Sequence, residues 1–363
     1  METALVKRAL PLKRTNSRAT SAEVAKLAGV SRTTVSLVLN DRGGELGISA
    51  ETRARVADAA ARLSYQPSHA ARSLRRWRTN VIALLLYTLD SFYNAEIIGA
   101  AHAAALERGY SLNIMSAKFD EVQRRAYSLL SGGVADGVIV AAPPADLAAD
   151  LKKLAENGMP IVVMQHHSPD PAIQAVRVDL ERGGYVATRH LLALGHRRIA
   201  HIGSASQRLL KRRERSDGYA RALQEAGIAA DPQLVAMAEP SLAGGFAAME
   251  ELLAQEKRPS AVFVYSDQMA VGALHALRKR GVRVPQEMAV VGFDGIALGG
   301  FVTPELTTVD YSRADIGRLA VEAVIGRLEG EAEPPPREQV LPVRLLVRES
   351  CGGMRAATGR EGA

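Results

Sequence analysis

Two sets of side chains in this 363-residue chain have the types and spacing for recognition chemistry. The first is Ser31, Arg32, Thr33, Ser36 and Leu37, within SRTTVSLVLN. A short helix with polar groups on its N-terminal face can present them to base edges in a DNA major groove. The second set falls at the ends of apolar runs: YTLDSFY from Tyr87 to Tyr93, MQHH from Met164 to His167, Asp179, Gly203 to Ser206, Ser266 with Asp267, and Asp294. Aromatics, an amide, acids and hydroxyls so placed suit a small polar ligand whose ring stacks and whose hydroxyls are hydrogen-bonded. Other chemistries lack their residues. The chain has no P-loop, dinucleotide glycine fingerprint, metal-spaced His and Cys cluster or nucleophile elbow, so no catalytic residue, metal or cofactor is expected. His166 and His167 have no acidic partner at ligand spacing and read as a polar loop.

Two short helices must hold the first set. Thr20 caps one of them, with Glu23 three residues on to complete a reciprocal capping box. Val24, Ala25, Leu27 and Ala28 form its apolar face, and Gly29 supplies the left-handed conformation that stops it. Ser31 caps the second helix, with Val35, Val38 and Leu39 facing inward and Arg32, Thr33, Ser36 and Leu37 outward. By itself the pair fits either a DNA-reading helix-turn-helix or an αα-hairpin inside a larger helical domain. A third helix, Ala50 to Leu63 with Ser49 as cap, places Thr52, Val56, Ala59, Ala60 and Leu63 to close a small three-helix core.

Charge separates this segment from the rest. Residues 1–80 carry 15 Lys and Arg against 6 Asp and Glu, whereas the other 283 carry 31 against 33. The basic excess coincides with the two-helix motif, as neutralising phosphates requires. Residues 1–19 read as a disordered basic arm, 20–66 as the helical domain, and 67–80 (SHAARSLRRWRT at its centre) as either a short helix or a charged linker.

From Val81 the pattern changes to apolar runs at 81–87, 111–116, 137–142, 160–164, 175–178, 198–202, 261–265 and 288–293. Helical stretches at 95–108, 123–130, 147–157, 183–194, 216–226, 244–255 and 268–280 lie between most of them. Buried strands alternating with helices predict a parallel-sheet α/β core over 81–350, long enough for two lobes. The tail 351–363 has no apolar heptads, so no tetramerisation helix is expected there. Cys351 is the only cysteine and excludes an internal disulfide. Neither a signal-peptide core nor a membrane span is evident, which points to a cytoplasmic protein.

The chain resembles the LacI/GalR family of bacterial transcription regulators over about residues 20–350. The likeness is carried by VAKLAGVSRTTVSLVLN at 24–40, ISAETRARVADAAARLSYQPS at 48–68, LLALGHRRIAHIG at 191–203, RSDGYARAL at 215–223, SDQMAVGAL at 266–274 and VVGFDG at 290–295. The resemblance implies an all-α helix-turn-helix head-piece followed by an α/β core of two doubly wound parallel-sheet lobes, like a periplasmic binding protein. It implies a homodimer that binds pseudo-palindromic operator DNA and answers to a small carbohydrate-like effector, with no membrane partner. On that reading Arg32 and Thr33 meet base edges, while Thr20, Ser31, Thr34, Ser36 and Asn40 stand at the DNA surface. Leu37 departs from the polar residue many relatives carry and would touch a thymine methyl. Residues 68–79 match the hinge helix, with Ser68 and Arg72 at the DNA and Leu74 as the wedge entering the minor groove.

Effector contacts carried over by position are Phe92 and Tyr93 from the first lobe and Arg215, Ser266 and Asp294 from the second, with Gln165 where an Asp is common. The lobes would divide at roughly 81–195 plus 310–329 and 196–309 plus 330–350. Five basic residues in RLLKRRER at 208–215 suit an anionic effector or a solvated loop. A solute-binding transport protein would share the core but not the basic head-piece; an enzyme would need a motif the chain lacks.

Overall fold

The structure, a computed structural model, describes residues 19–39, 46–65, 78–86, 92–116, 127–141, 148–165, 167–168, 170–205, 214–330 and 337–353. The expectations for the arm at 1–19 (all but its last residue), Asn40, Ser68, Arg72, Leu74, His166, residues 208–213 and most of the tail lie outside them. The chain divides into two units, 1–79 and 80–363.

Capping chemistry sets the bounds of the first unit. Helix α1 (Ser21–Ala28) begins at Thr20, whose hydroxyl accepts from the Glu23 amide at 3.3 Å while the Thr20 amide donates to the Glu23 carboxylate at 2.7 Å. It ends at Gly29, with φ 66°. Ser31 caps α2 (Arg32–Leu39), its hydroxyl accepting from the Thr34 amide at 3.0 Å, and Ser49 caps α3 (Ala50–Arg62). Val24, Ala25, Ala28, Val35, Val56, Ala59 and Ala60 form the buried core. Leu27 does not join it. It lies 50% exposed, because Val24 and Ala28 already define the inward side and Leu27 falls off that line.

Two six-stranded sheets make the second unit. The first runs β11-β5-β4-β3-β1-β2, from β1 (Val81–Leu86), β2 (Ser111–Ser116), β3 (Gly137–Ala141), β4 (Ile161–Gln165), β5 (Gln174–Val178) and β11 (Glu338–Leu341), all parallel. The second runs β12-β10-β9-β8-β6-β7, from β6 (Ile199–Ser204), β7 (Val235–Ala238), β8 (Ala261–Val264), β9 (Ala289–Phe293), β10 (Thr307–Asp310) and β12 (Arg344–Leu346). Only β12 in it is antiparallel, on the edge beside β10. The continuous apolar runs are the buried central strands. Strands β7, β10, β11 and β12 are three or four residues long and are not announced by such runs.

Helices α4 (Phe92–Glu107), α5 (Ala148–Glu156) and α10 (Arg313–Glu329) belong with the first sheet, and α6 (Leu180–Ala193), α7 (Glu214–Glu225), α8 (Leu242–Leu253) and α9 (Asp267–Lys279) with the second. This corrects the expected lobe boundaries at two places. Helix α6 packs on α7 and the second sheet, so the first passage between lobes is at Asp179, which caps α6. Residues 338–341 close the first sheet beside β5, so the third passage falls at 342–343. The physical reason is an open edge: β5 needs a hydrogen-bonding neighbour, and the returning chain supplies it before crossing.

Candidate functional site

On the head-piece, Ser31, Arg32 and Thr33 are exposed and Thr34 is half-buried. Ser31 and Thr34 hydroxyls lie 2.9 Å apart, so both serve the start of α2. Ser36 and Leu37 are half-buried rather than fully outward. The Thr20 hydroxyl is engaged by Glu23, which leaves it at the surface as a cap.

Between the two sheets, side chains distant in sequence converge. Arg215, the second residue of α7, donates from Nη2 to Asp294 Oδ1 at 3.2 Å, and both side chains are nearly buried. The guanidinium carbon sits 4.3 Å from the ring centres of both Tyr265 and Phe293, a double cation–π contact. The Tyr311 hydroxyl donates to the same Asp294 oxygen at 2.9 Å. A carboxylate can only accept, so Tyr93 in turn donates to Tyr311 and links the first lobe to the chain. Burial pushes the Asp294 carboxyl above the usual carboxylate range, against the pull of Arg215, Tyr311 and Arg313. Burial also opposes the charge on Arg215, but the tyrosines and Asp294 outweigh it and hold its pKa above the ordinary arginine value.

Close helix packing places Arg215. A Cβ at Gly184 on α6 would meet the Arg215 carbonyl oxygen at 2.1 Å, so only glycine lets α7 lie so near. Beside Arg215, the Ser216 hydroxyl is 2.9 Å from His201 Nε2, while His201 Nδ1 is 3.1 Å from the Phe263 carbonyl oxygen. The carbonyl accepts, so Nδ1 carries the proton and Nε2 accepts from Ser216. Stacked between Tyr219 and Phe263, His201 is held neutral, its pKa lowered by burial to about 4.

Asp294 itself is held by strained backbone and a buried acid. Its φ is 106°, a conformation that costs a non-glycine residue free energy and marks functional turns. Asp267 fastens the turn that follows: Oδ2 accepts from the Ile296 amide at 2.8 Å and Oδ1 bonds Thr308 at 2.6 Å. Burial raises the Asp267 pKa to about 8, with the charge on Asp294 adding to the effect.

Of the six residues expected at the effector site, Tyr93, Arg215 and Asp294 are brought together. Gln165 ends β4 with φ 76°, the same kind of strained strand end, and is not among the described side chains that hydrogen-bond Arg215, Asp294 or Tyr311. Phe92 begins α4 and is 57% exposed. Ser266 is buried as N-cap of α9, accepting from the Met269 amide at 3.3 Å. Tyr311 and Arg313 were missed, because they follow the short threonine-rich β10. The Ser312 to Asp315 cap spacing was the available signal. Among the described residues no group of three or more His, Cys, Asp or Glu side chains is arranged to hold a metal, and no helix is long and apolar enough to cross a membrane.

Known proteins resemble both parts of the chain. Residues 20–68 match the lacI family of bacterial regulatory proteins, and residues 188–351 a periplasmic binding protein-like domain. The PurR transcriptional repressor of Pectobacterium carotovorum is 36% identical over 92% of this chain and 98% of its own. The ribose operon repressor of Haemophilus influenzae is 33% identical over 93% and 100%. Among solved structures, the lac repressor dimer bound to operator and the anti-inducer ONPF superposes with TM-score 0.81 at 28% identity, covering 92% of this chain and 99% of that one. A CelR–cellobiose complex gives TM-score 0.69 at 33% identity, covering 92% and 100%. These relatives bear out a DNA-binding transcriptional repressor rather than an enzyme, and do not favour a transport protein. With both its parts matched and relatives 33% and 36% identical over nearly their whole length, the chain belongs to the lacI family of bacterial regulatory proteins.

Proposed function

We propose that the protein is a cytoplasmic homodimeric repressor. Helix α2 reads the operator, and a small carbohydrate-like effector bound between the lobes controls that grip. The observation that carries the reading is the nearly buried Arg215–Asp294 pair, set among Tyr93, Tyr265, Phe293 and Tyr311. Such a pair offers a donor and an acceptor to vicinal hydroxyls, and the rings offer faces on which a sugar's apolar side can rest. Arg215 Nε is buried without a hydrogen-bond partner among the described residues, a donor that an effector oxygen would satisfy. Gln165, Phe92 and Ser266 complete the effector set.

Charge balance supports a neutral effector. Among the described residues, Arg215 is matched by Asp294, and Arg313 by Glu96 and Asp310. These described residues therefore offer no surplus positive charge to an anion. Arg32 and Thr33, exposed at the start of α2, supply base contacts, and Ser31, Thr34, Thr20, Ser36, Leu37 and Asn40 frame them. Ser68, Arg72 and Leu74 act at the operator centre. Exposed Val235 and Met237 on edge strand β7, with Phe301, supply apolar surface for a partner subunit.

The deciding experiment sequences genomic DNA fragments retained by the protein, with and without ribose, cellobiose and their phosphorylated counterparts. A recurrent two-fold-symmetric site whose retention responds to a neutral sugar is expected. Retention of DNA without sequence preference would overturn the operator reading; response to the phosphorylated forms alone would overturn the neutral one.

A further inference from the structure

Two of the three passages between the lobes are joined through one carboxylate. Asp310 ends β10 just before the second passage, and Arg313 begins α10 just after it. Arg313 reaches back with Nη1 to Asp310 Oδ1 at 3.2 Å, while Arg344, just after the third passage, donates from Nε to Asp310 Oδ2 at 2.8 Å. The Arg313 Nη1 group also donates to the main-chain carbonyl of Asp294, and its Nε donates to Glu96 at 2.8 Å. Glu96 lies on α4 three residues beyond Tyr93, so the two are neighbours on one helix face.

Arg313 therefore stands where α4 and α10 of the first lobe meet the strand ends of the second. These two helices are in backbone contact, since a Cβ at Gly317 would meet the Ile97 carbonyl oxygen at 2.3 Å. The pair is tightly packed, and the contacts of Arg313 with Asp294 and Asp310 cross to the other lobe. A guanidinium can hold such divergent acceptors at once because its donors form a fixed planar fork.

We propose that Arg313 is a positioning residue for effector response: the Glu96–Arg313–Asp294 strut holds the effector-gripping aspartate in register with the first lobe. It makes the lobe angle depend on how Asp294 is occupied. The inference rests on the effector site proposed above. Tyr93 and Tyr311 link the lobes on the side-chain face of Asp294, whereas Arg313 links them through its main chain.

The test follows amide hydrogen exchange in the full chain for Glu96→Gln, Arg313→Lys and the control Glu322→Gln. Glu96 is about half exposed, and Glu322 lies on the same helix pair in an exposed ion pair with Arg318. Glu96→Gln and Arg313→Lys should each speed exchange at residues 294–296 by about threefold or more, and Glu322→Gln should not. Unchanged exchange at 294–296 in Glu96→Gln would overturn the strut, and so would an equal change in the control. Calorimetry with ribose and cellobiose gives a second arm. Asp294→Asn should abolish binding and Glu96→Gln should weaken it about threefold or more. Undiminished binding in Asp294→Asn would overturn the effector site while leaving the strut to the exchange result. If neither sugar binds the wild type, exchange alone decides.

Discussion

The head-piece and the inter-lobe site are built on opposite plans. Each head-piece N-cap spans three residues, and among the described residues the seven buried apolar side chains of its core lie between residues 24 and 60. The inter-lobe site joins Arg215 to Asp294 across 79 positions and Arg313 to Glu96 across 217. Local contacts form with little loop-closure entropy, whereas the site exists only once both sheets are complete. DNA reading is thus a property of one short segment, and sensing is a property of the whole core.

The sharpest way to break that comparison is to damage the site and look for effects on the head-piece. Arg215→Ala leaves the Asp294 carboxylate buried without its cation, which should cost the core about 3–5 kcal/mol. Urea unfolding followed by tyrosine fluorescence would report the loss, and head-piece methyl resonances should stay unchanged. A core loss below about 1 kcal/mol would mean that the pair is solvated and is no buried grip.

Proton linkage gives a second test, likewise confined to the core. His201 has a folded pKa of about 4 against 6.5, so the unfolded chain binds more protons between those values and stability falls as pH drops through that window. Asp267 has a folded pKa of about 8 against 3.8, so the folded chain holds the extra proton and stability falls as pH rises from 4 to 8. The two slopes oppose each other below pH 6.5. His201→Phe should unmask the Asp267 decline across the whole range. Asp267→Asn should leave an acid-side loss of at most about 3 kcal/mol from His201. Chemical denaturation at half-unit pH steps would show both; parallel profiles in wild type and variants would reject the assignment.

On the DNA side, Arg32→Ala should remove about 1–3 kcal/mol of discrimination at a single operator position and relax the preference there. Selection sequencing of bound fragments measures it. A uniform fall across all sequences would reassign Arg32 to a phosphate.

The same contrast explains what could be read without coordinates. Thr20, Glu23, Gly29 and Ser31 announce the head-piece because each cap is written within one turn of the helix it starts or stops. Leu27 misled, since an apolar residue at helical spacing does not say which neighbours will already have filled the core. In the core, β1, β3, β4, β6, β8 and β9 are legible as apolar runs because both faces are covered. The edge strand β11 is half polar and its sequence does not say which lobe it joins, because edge pairing is decided by which sheet has a free side. Tyr93, Arg215 and Asp294 follow from family positions, while Tyr311 and Arg313 depend on where a crossing strand turns, of which the Ser312–Asp315 cap marks only the helix start.

The smallest predicted effect bears most directly on separability. Thr20→Ala removes one half of a reciprocal cap and should cost the head-piece about 1 kcal/mol, as helix caps do. Glu23→Gln keeps an acceptor for the Thr20 amide but removes the charge, so it should cost less than Thr20→Ala. Both should lower head-piece melting and leave sugar binding by the core untouched. If Thr20→Ala instead altered the heat of sugar binding, the head-piece would be contributing to the sensing equilibrium even without DNA. Operator affinity would then reflect a coupled fold rather than a local reader and a separate sensor.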